Sequence, residues 1–180
     1  MRHALTGILL LASTLGHAGE SSDPESRFQR AETYYFGKGV KQDCVKAIAL
    51  YEKAADAGHG LAAARLGGVH FVGKSCGYKK DLKKAKFWFE KGAAAGDAGS
   101  MVNLGFMHNH AMGVPKDYKK ALELYRKAAD LGDGQAMHNI GYMYRHGQGV
   151  PKDPKKAEEW TRKGDPDLKA RGLPTSGATP

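Results

Sequence analysis

The stretch GVPKDYKKA, residues 113–121, returns thirty-six positions later as GVPKDPKKA, residues 149–157. A looser copy, GVKQDCVKA, occupies 39–47. The alanine that closes the phrase falls at Ala47, Ala85, Ala121 and Ala157, with spacings of 38, 36 and 36 residues. The same register aligns Gly39, Gly77, Gly113 and Gly149, then Asp43, Asp81, Asp117 and Asp153, then the closing glycines Gly58, Gly96 and Gly132. Upstream it aligns Gly67, Gly105 and Gly141, with Ala31 in the first copy. Self-similarity at such a period marks a solenoid, in which each repeat buries its apolar face only against its neighbours. The two additional residues of the second copy fall in VGKSCGYKKD, 72–81, which must be a loop.

Each copy holds two helical stretches. In the third, 100–109 places Leu104, Gly105 and His108 on one face of a helix, A. A second helix, B, starts after Asp117; Ala121, Leu124, Tyr125, Ala128 and Ala129 keep the helical period up to Gly132. Asp117 suits the N-cap, where a carboxylate accepts orphan amide hydrogens of the first turn. Pro154 then takes the first helical position, where no amide hydrogen is missed. Gly105 and Ala121 are small enough to let paired helices approach closely. The chain is thus predicted to be an all-α solenoid of four helix-turn-helix units, about 26–58, 59–96, 97–132 and 133–165.

These residues carry a resemblance. Leu104-Gly105, Gly113-Val114, Asp117, Lys120-Ala121, Tyr125, Ala128-Ala129 and Gly132, with counterparts in the second and fourth units, resemble the Sel1-like repeat family, relatives of the tetratricopeptide repeats. The resemblance implies a superhelix of helix pairs with a concave face, and protein binding as its usual work. It carries no catalytic residue onto any position here. The first unit departs from the pattern with Arg30-Ala31 where Leu-Gly is expected, and the fourth ends at Gly164-Asp165 without its second alanine. Both departures fit terminal capping units.

A second stripe of helix A lies about a quarter turn from the packing stripe. It holds Glu32, Tyr35 and Phe36, then Ala64, Gly68 and Phe71, then Val102, Phe106 and Asn109, then His138, Tyr142 and Arg145. In the tetratricopeptide relatives these positions face the inner groove, which makes Tyr35, Phe71, Phe106, Asn109, His138, Tyr142 and Arg145 the candidate partner-binding set. Aromatic and arginine anchors are what protein interfaces use. The competing reading is that Phe71 and Phe106 complete the packing between neighbouring A helices.

No metal, cofactor or catalytic site is expected. His110 and His146 repeat in adjacent units, but equivalent positions in packed helices stand about 10 Å apart, and no carboxylate or cysteine sits at ligand spacing beside them. His70 and His108 occupy the core slot that Tyr144 fills. Ser100 belongs to a small-residue series with Ala62 and Ala136. No phosphate loop or nucleophile elbow appears. Some cysteine-rich relatives are linked to penicillin binding, but this chain lacks their repeated cysteine pairs, so a weak hydrolase ranks last.

The chain begins like a secretory signal. Met1-Arg2-His3 precedes ALTGILLLASTL, 4–15, an apolar run too short to span a bilayer. Cleavage after Ala18 is expected, which leaves a short linker, 19–25, before the repeats; a buried N-terminal helix is the alternative. The tail, 166–180, is rich in Pro, Gly and small polar residues and is predicted to be loose. The formal charge of +9 becomes +8 after cleavage. That excess fits a partner protein with an acidic surface, and export disfavours nucleic acid. No further apolar stretch could span a membrane, and a monomer is the expected state. The lysine pairs Lys83-Lys84, Lys119-Lys120 and Lys155-Lys156 stand in first turns of B helices, where a cation opposes the helix dipole at a cost of about 0.3–1 kcal/mol. They either solvate an edge, reaching acids of the next unit such as Asp130, or form a basic ridge that Lys79, Lys80 and Lys86 thicken.

Cys44 follows an N-cap, and Cys76 lies on the lengthened loop of the next unit, at the same edge. The slack of that loop lets the pair meet as a disulfide in an oxidising compartment; two free thiols are the alternative. The combined expectation is a non-enzymatic periplasmic protein-binding repeat protein of a Gram-negative bacterium. Its finer role is that of an immunity protein neutralising a type VI secretion phospholipase effector, as some small exported Sel1-like proteins do, with a periplasmic regulatory or assembly adaptor as the alternative.

Overall fold

The structure is a computed structural model and describes residues 23–165; the expected signal segment 1–18 and the tail 166–180 lie outside the described residues. Eight α-helices follow one another: α1 (Pro24–Phe36), α2 (Cys44–Asp56), α3 (Gly60–Val72), α4 (Leu82–Ala94), α5 (Ala98–His110), α6 (Tyr118–Asp130), α7 (Gly134–His146) and α8 (Pro154–Lys163). The odd helices are the A helices and the even ones the B helices. The first seven are each thirteen residues long, about 20 Å at the rise of an α-helix. No strand occurs among the described residues. Two residues of the expected linker, Pro24 and Glu25, already belong to α1, where Asp23 caps the helix and Pro24 opens it.

The repeated aspartates do what their position requires. Asp43, Asp81, Asp117 and Asp153 are the N-caps of α2, α4, α6 and α8, each accepting from the amide three residues on at 2.9–3.0 Å. The A helices have their own series of caps. Asp23, Asp97 and Asp133 fill it, and His59 replaces the carboxylate in α3, with its Nδ1 accepting from the Ala62 amide at 3.1 Å. The A helices end on left-handed residues: Gly37, Gly73 and Gly147, but Ala111 at φ +55° after α5. A side chain at that φ is strained by about 1–3 kcal/mol.

Close approach of A to B is what the small residues provide. A methyl group added at Gly67 would stand 2.4 Å from the Phe89 ring, and one at Gly105 would stand 2.6 Å from the Tyr125 ring. In the last unit Gly141 abuts the Thr161 hydroxyl and the Ala157 carbonyl. Phe89 and Tyr125 are fully buried in consequence. Ser100 is likewise fully buried, and a methyl at Gly92 would meet its Oγ at 2.2 Å, so the residue is there for its size. Burial pushes the Tyr125 phenol well above its usual pKa. His70, buried against Tyr78, is held below the usual histidine range by burial and by the charge of Lys84.

Successive pairs stack B on the next A: α2 on α3, α4 on α5, α6 on α7. Three buried clusters run along the stack, one through the first two units, one centred on Phe89 and Leu104, and one around Tyr125, Ile140 and Met143. Polar ties also cross between units. Arg65 of α3 forks onto Glu32 of α1 at 2.9 and 3.3 Å, and the same carboxylate accepts from the Tyr51 hydroxyl. The Arg126 guanidinium donates to the Tyr144 hydroxyl at 3.1 Å. Lys91 reaches Asp56 of the preceding unit. The first-turn lysines do not make the inter-unit pairs expected of them. Lys120 pairs with Glu123 of its own helix at 3.1 Å, and Lys156 with its own cap Asp153 at 3.5 Å. A lysine in a first turn points along its own helix, and a carboxylate three positions away is nearer than any in the next unit.

Cys44 and Cys76 are joined, with their α-carbons 5.5 Å apart. Cys76 sits in a short 3₁₀ turn, Ser75–Gly77, on the lengthened loop, and it adopts φ +58°. The bridge closes a 32-residue separation, which by chain entropy stabilises the fold by about 3–4 kcal/mol.

Two outcomes follow from this packing. Gly105→Ala should lower stability by about 1–3 kcal/mol through overpacking against Tyr125, although alanine raises intrinsic helix propensity by about 1 kcal/mol. Denaturant unfolding reads the sign, and a stabilised variant would show that the glycine is not a packing requirement. The unfolded, unreduced protein should show no thiol to Ellman's reagent, and reduction should lower its melting temperature; a melt indifferent to reductant would show that the bridge is idle.

Candidate protein-binding face

The A helices form one face of the stack, and α3 touches α5 directly there. Two hollows open on this face, each between A helices of neighbouring units. The larger, about 500 Å³, lies among α1, α3 and the start of α5. Tyr35, Phe36, Leu61 and Val72 supply its apolar wall, and Arg65 and Asn103 its polar one. The smaller, about 290 Å³, lies between α5 and α7 and is lined by Phe106, Asn109, His110, Tyr125, Asn139 and Tyr142.

The candidate residues divide between these places. Tyr35 stands in the first hollow, edge-on to Phe36 at 5.0 Å. Phe106 and Tyr142 face each other across the second with exposures of 38% and 47%. Asn109 forms part of its floor and is only 6% exposed. Its Oδ1 has no hydrogen-bond partner, while its amide nitrogen lies 3.2 Å from Nε2 of His110. Phe71 stands between the hollows, half-buried on the cluster centred on Phe89, with ring contacts of 6.1 Å to Phe89 and 6.2 Å to Phe106. For that residue the packing reading describes the structure better than the groove reading. Neither His138 nor Arg145 lines these two hollows. His138 lies beside Gly164 at the end of α8, and Arg145 is exposed on the last turn of α7. Glu32, in the same stripe, is engaged by Arg65 and Tyr51.

Two features of this face follow from residues outside the candidate set. His110 lies tilted against Phe106 at 4.2 Å, and His146 stacks on Tyr142 at 4.0 Å, so each exposed ring is backed by the imidazole one turn on. Arg65, Asn103 and Asn139 occupy one repeat position, just ahead of Leu66, Leu104 and Ile140. That recurring polar series inside otherwise apolar helices is the signal that could have found them. Among the described residues no three His, Cys, Asp or Glu side chains converge as a metal site, and no helix is long and apolar enough to cross a membrane. The two hollows present apolar rings flanked by amide, imidazole and guanidinium groups.

The Sel1 repeat profile matches residues 24–59, 60–97, 98–133 and 134–164. The chain belongs to the Sel1 repeat family. A Sel1 repeat protein from Oxalobacter formigenes is similar in structure, with a TM-score of 0.74 and 28% identity over 82% of this chain. So is c5321, a protective antigen present in uropathogenic Escherichia coli strains, with a TM-score of 0.76 and 27% identity over 86% of this chain. This chain spans 58% of the length of the first and 35% of the second. The immunity protein Pa5087 from Pseudomonas aeruginosa shares the fold at 20% identity, with a TM-score of 0.55, over 78% of this chain and 51% of its own. No curated protein gives a significant match. Sel1 repeats mediate protein–protein interaction, and the family is generally a non-catalytic scaffold.

Proposed function

We propose that this Sel1 repeat protein acts in the periplasm as an immunity protein, seating part of an envelope-directed lipase effector on its A face. The observation that carries the binding reading is the pair of exposed rings, Phe106 and Tyr142, opposed across a hollow and each backed by a histidine. Large rings held out to solvent beside unsatisfied polar groups are what a protein partner desolvates. The periplasmic part of the reading is supported by the disulfide, since such bonds persist in oxidising compartments, and by the signal-like start of the chain. The immunity part is supported by the use of this fold in an immunity protein. The acidic complement suggested by the net charge is not needed on the A face, where Arg65 is already engaged by Glu32.

The test is co-expression. A lipase effector encoded beside this gene, directed to the periplasm of a susceptible host, should kill without this protein and not with it. Phe106→Ala combined with Tyr142→Ala should weaken binding by about 2 kcal/mol or more and abolish protection, while costing little stability. The core change Leu104→Ala should instead lower stability by about 2–5 kcal/mol. Absence of protection would overturn the immunity role. A double variant as unstable as Leu104→Ala would overturn the assignment of these rings to a binding face.

A further inference from the structure

The whole chain carries a formal charge of +9. Four nine-residue windows, each ending three residues into a B helix, cover 38–46, 76–84, 112–120 and 148–156. Together they hold thirteen lysines, no arginine and four aspartates, an excess of nine. The rest of the chain holds fifteen bases and fifteen acids. The entire net charge of the protein is thus confined to four short windows.

These windows are the A-to-B loops and the first turns of α2, α4, α6 and α8. In a stack of antiparallel helix pairs all of them fall on one edge. The opposite edge, where B helices end and A helices begin, carries both signs, with Lys53, Lys127 and Lys163 among Asp56, Asp97 and Asp133. All thirteen lysines are exposed. Only Lys120 and Lys156 have a carboxylate within 4 Å among the described residues. The four aspartates are engaged as N-caps and accept from amides of their own helices. Helix stability did not select the seven of them that stand in first turns, because a cation there opposes the dipole.

The chemistry of the edge selects among anionic partners. Desolvated protein interfaces enrich arginine and are depleted in lysine, and arginine, not lysine, makes the rigid bidentate fork. An edge with thirteen lysines and no arginine suits an extended, hydrated and laterally mobile array of negative charge. Anionic lipid headgroups are such an array, and lysines near them add attraction without fixed geometry. Two apolar side chains stand exposed among the lysines of the first unit, Val40 and Val45, the latter 78% exposed. Packed helices repeat at about 10 Å, so the four lysine clusters run for roughly 30 Å along the edge. We propose that this edge is a docking surface for an anionic lipid bilayer, which it meets through lysine ammonium groups and headgroup phosphates with Val40 and Val45 at the headgroup boundary. The edge and the A face are different surfaces, so this inference does not depend on the immunity reading.

The test is sedimentation of the disulfide-bonded protein with vesicles of phosphatidylglycerol and phosphatidylethanolamine, against vesicles of phosphatidylcholine. Binding is expected to the first alone. It should be lost as ionic strength rises from about 0.1 M to about 1 M, where the Debye length shrinks from about 10 Å to about 3 Å. Two triple variants remove equal charge from opposite edges. Lys83→Gln, Lys119→Gln and Lys155→Gln together should weaken vesicle binding roughly 10- to 100-fold, with a melting temperature that does not fall. Lys53→Gln, Lys127→Gln and Lys163→Gln together should change it less than about twofold. Val40→Ser with Val45→Ser, which leaves the charge alone, should weaken it severalfold. Failure to bind anionic vesicles, equal losses in the two triple variants, no loss in the valine pair, or tighter binding to duplex DNA than to vesicles at the same ionic strength would each overturn the proposal.

Discussion

A glycine of an A helix pressed against a ring of the following B helix sets the geometry of the middle of this solenoid. At Gly67 against Phe89 and at Gly105 against Tyr125 there is no room for even one methyl group. The contact brings each pair close enough to bury the ring completely and turns the rest of helix A outward. With Leu66 and Leu104 fixed in the core, the position that follows the packing glycine, Phe106 in the third unit and Tyr142 in the fourth, is left on the open face. In the last unit Thr161 replaces the ring, and the two backbones close on each other at Gly141 and Gly164 instead.

The units differ where their surroundings differ. The first is tied forward by the Cys44–Cys76 bridge, by Arg65 on Glu32, by His59 beside Glu25 and by Lys91 on Asp56. The exposed ion pair adds little on its own. The disulfide acts on the unfolded chain and holds the unit where a one-dimensional stack frays most easily. One edge carries charge in an equally ordered way, with aspartates tied to helix amides and lysines exposed around them.

Much of this was legible in the chain alone because the repeat is internal evidence. The four aspartates gave the starts of the B helices, Gly67, Gly105 and Gly141 gave the close A–B contacts, and the loop slack at Cys76 gave its partner. The binding face was read less completely. Helical periodicity places Tyr35, Phe106 and Tyr142 on the A face, where the structure has them, but it cannot say how neighbouring units shade one another. Phe71 sits against Phe89 of the following helix, a contact that the pattern of α3 alone does not contain. His138 turns to the end of α8, a contact between the two helices of the last unit that no single-helix pattern contains. Arg65 and Asn139 were missed because a lone polar residue in an apolar helix looks like solvation until its equivalents in other units are placed beside it. The lysines were seen, yet their ion pairs were assigned to the next unit, because a side chain's choice between its own helix and a neighbour depends on distances that sequence does not hold.

The account rests on partner recognition by the A face, and site-specific photocrosslinking tests that most directly. Tyr142→benzoylphenylalanine places a benzophenone on the A face, and Phe87→benzoylphenylalanine places the same group at an equally exposed aromatic position on a B helix. With the partner present, irradiation should join it to the protein through position 142 and not through position 87. Crosslinking through 87 with none through 142 would contradict the account, because it would put the partner on the B helices and leave the opposed rings of the A face without a function.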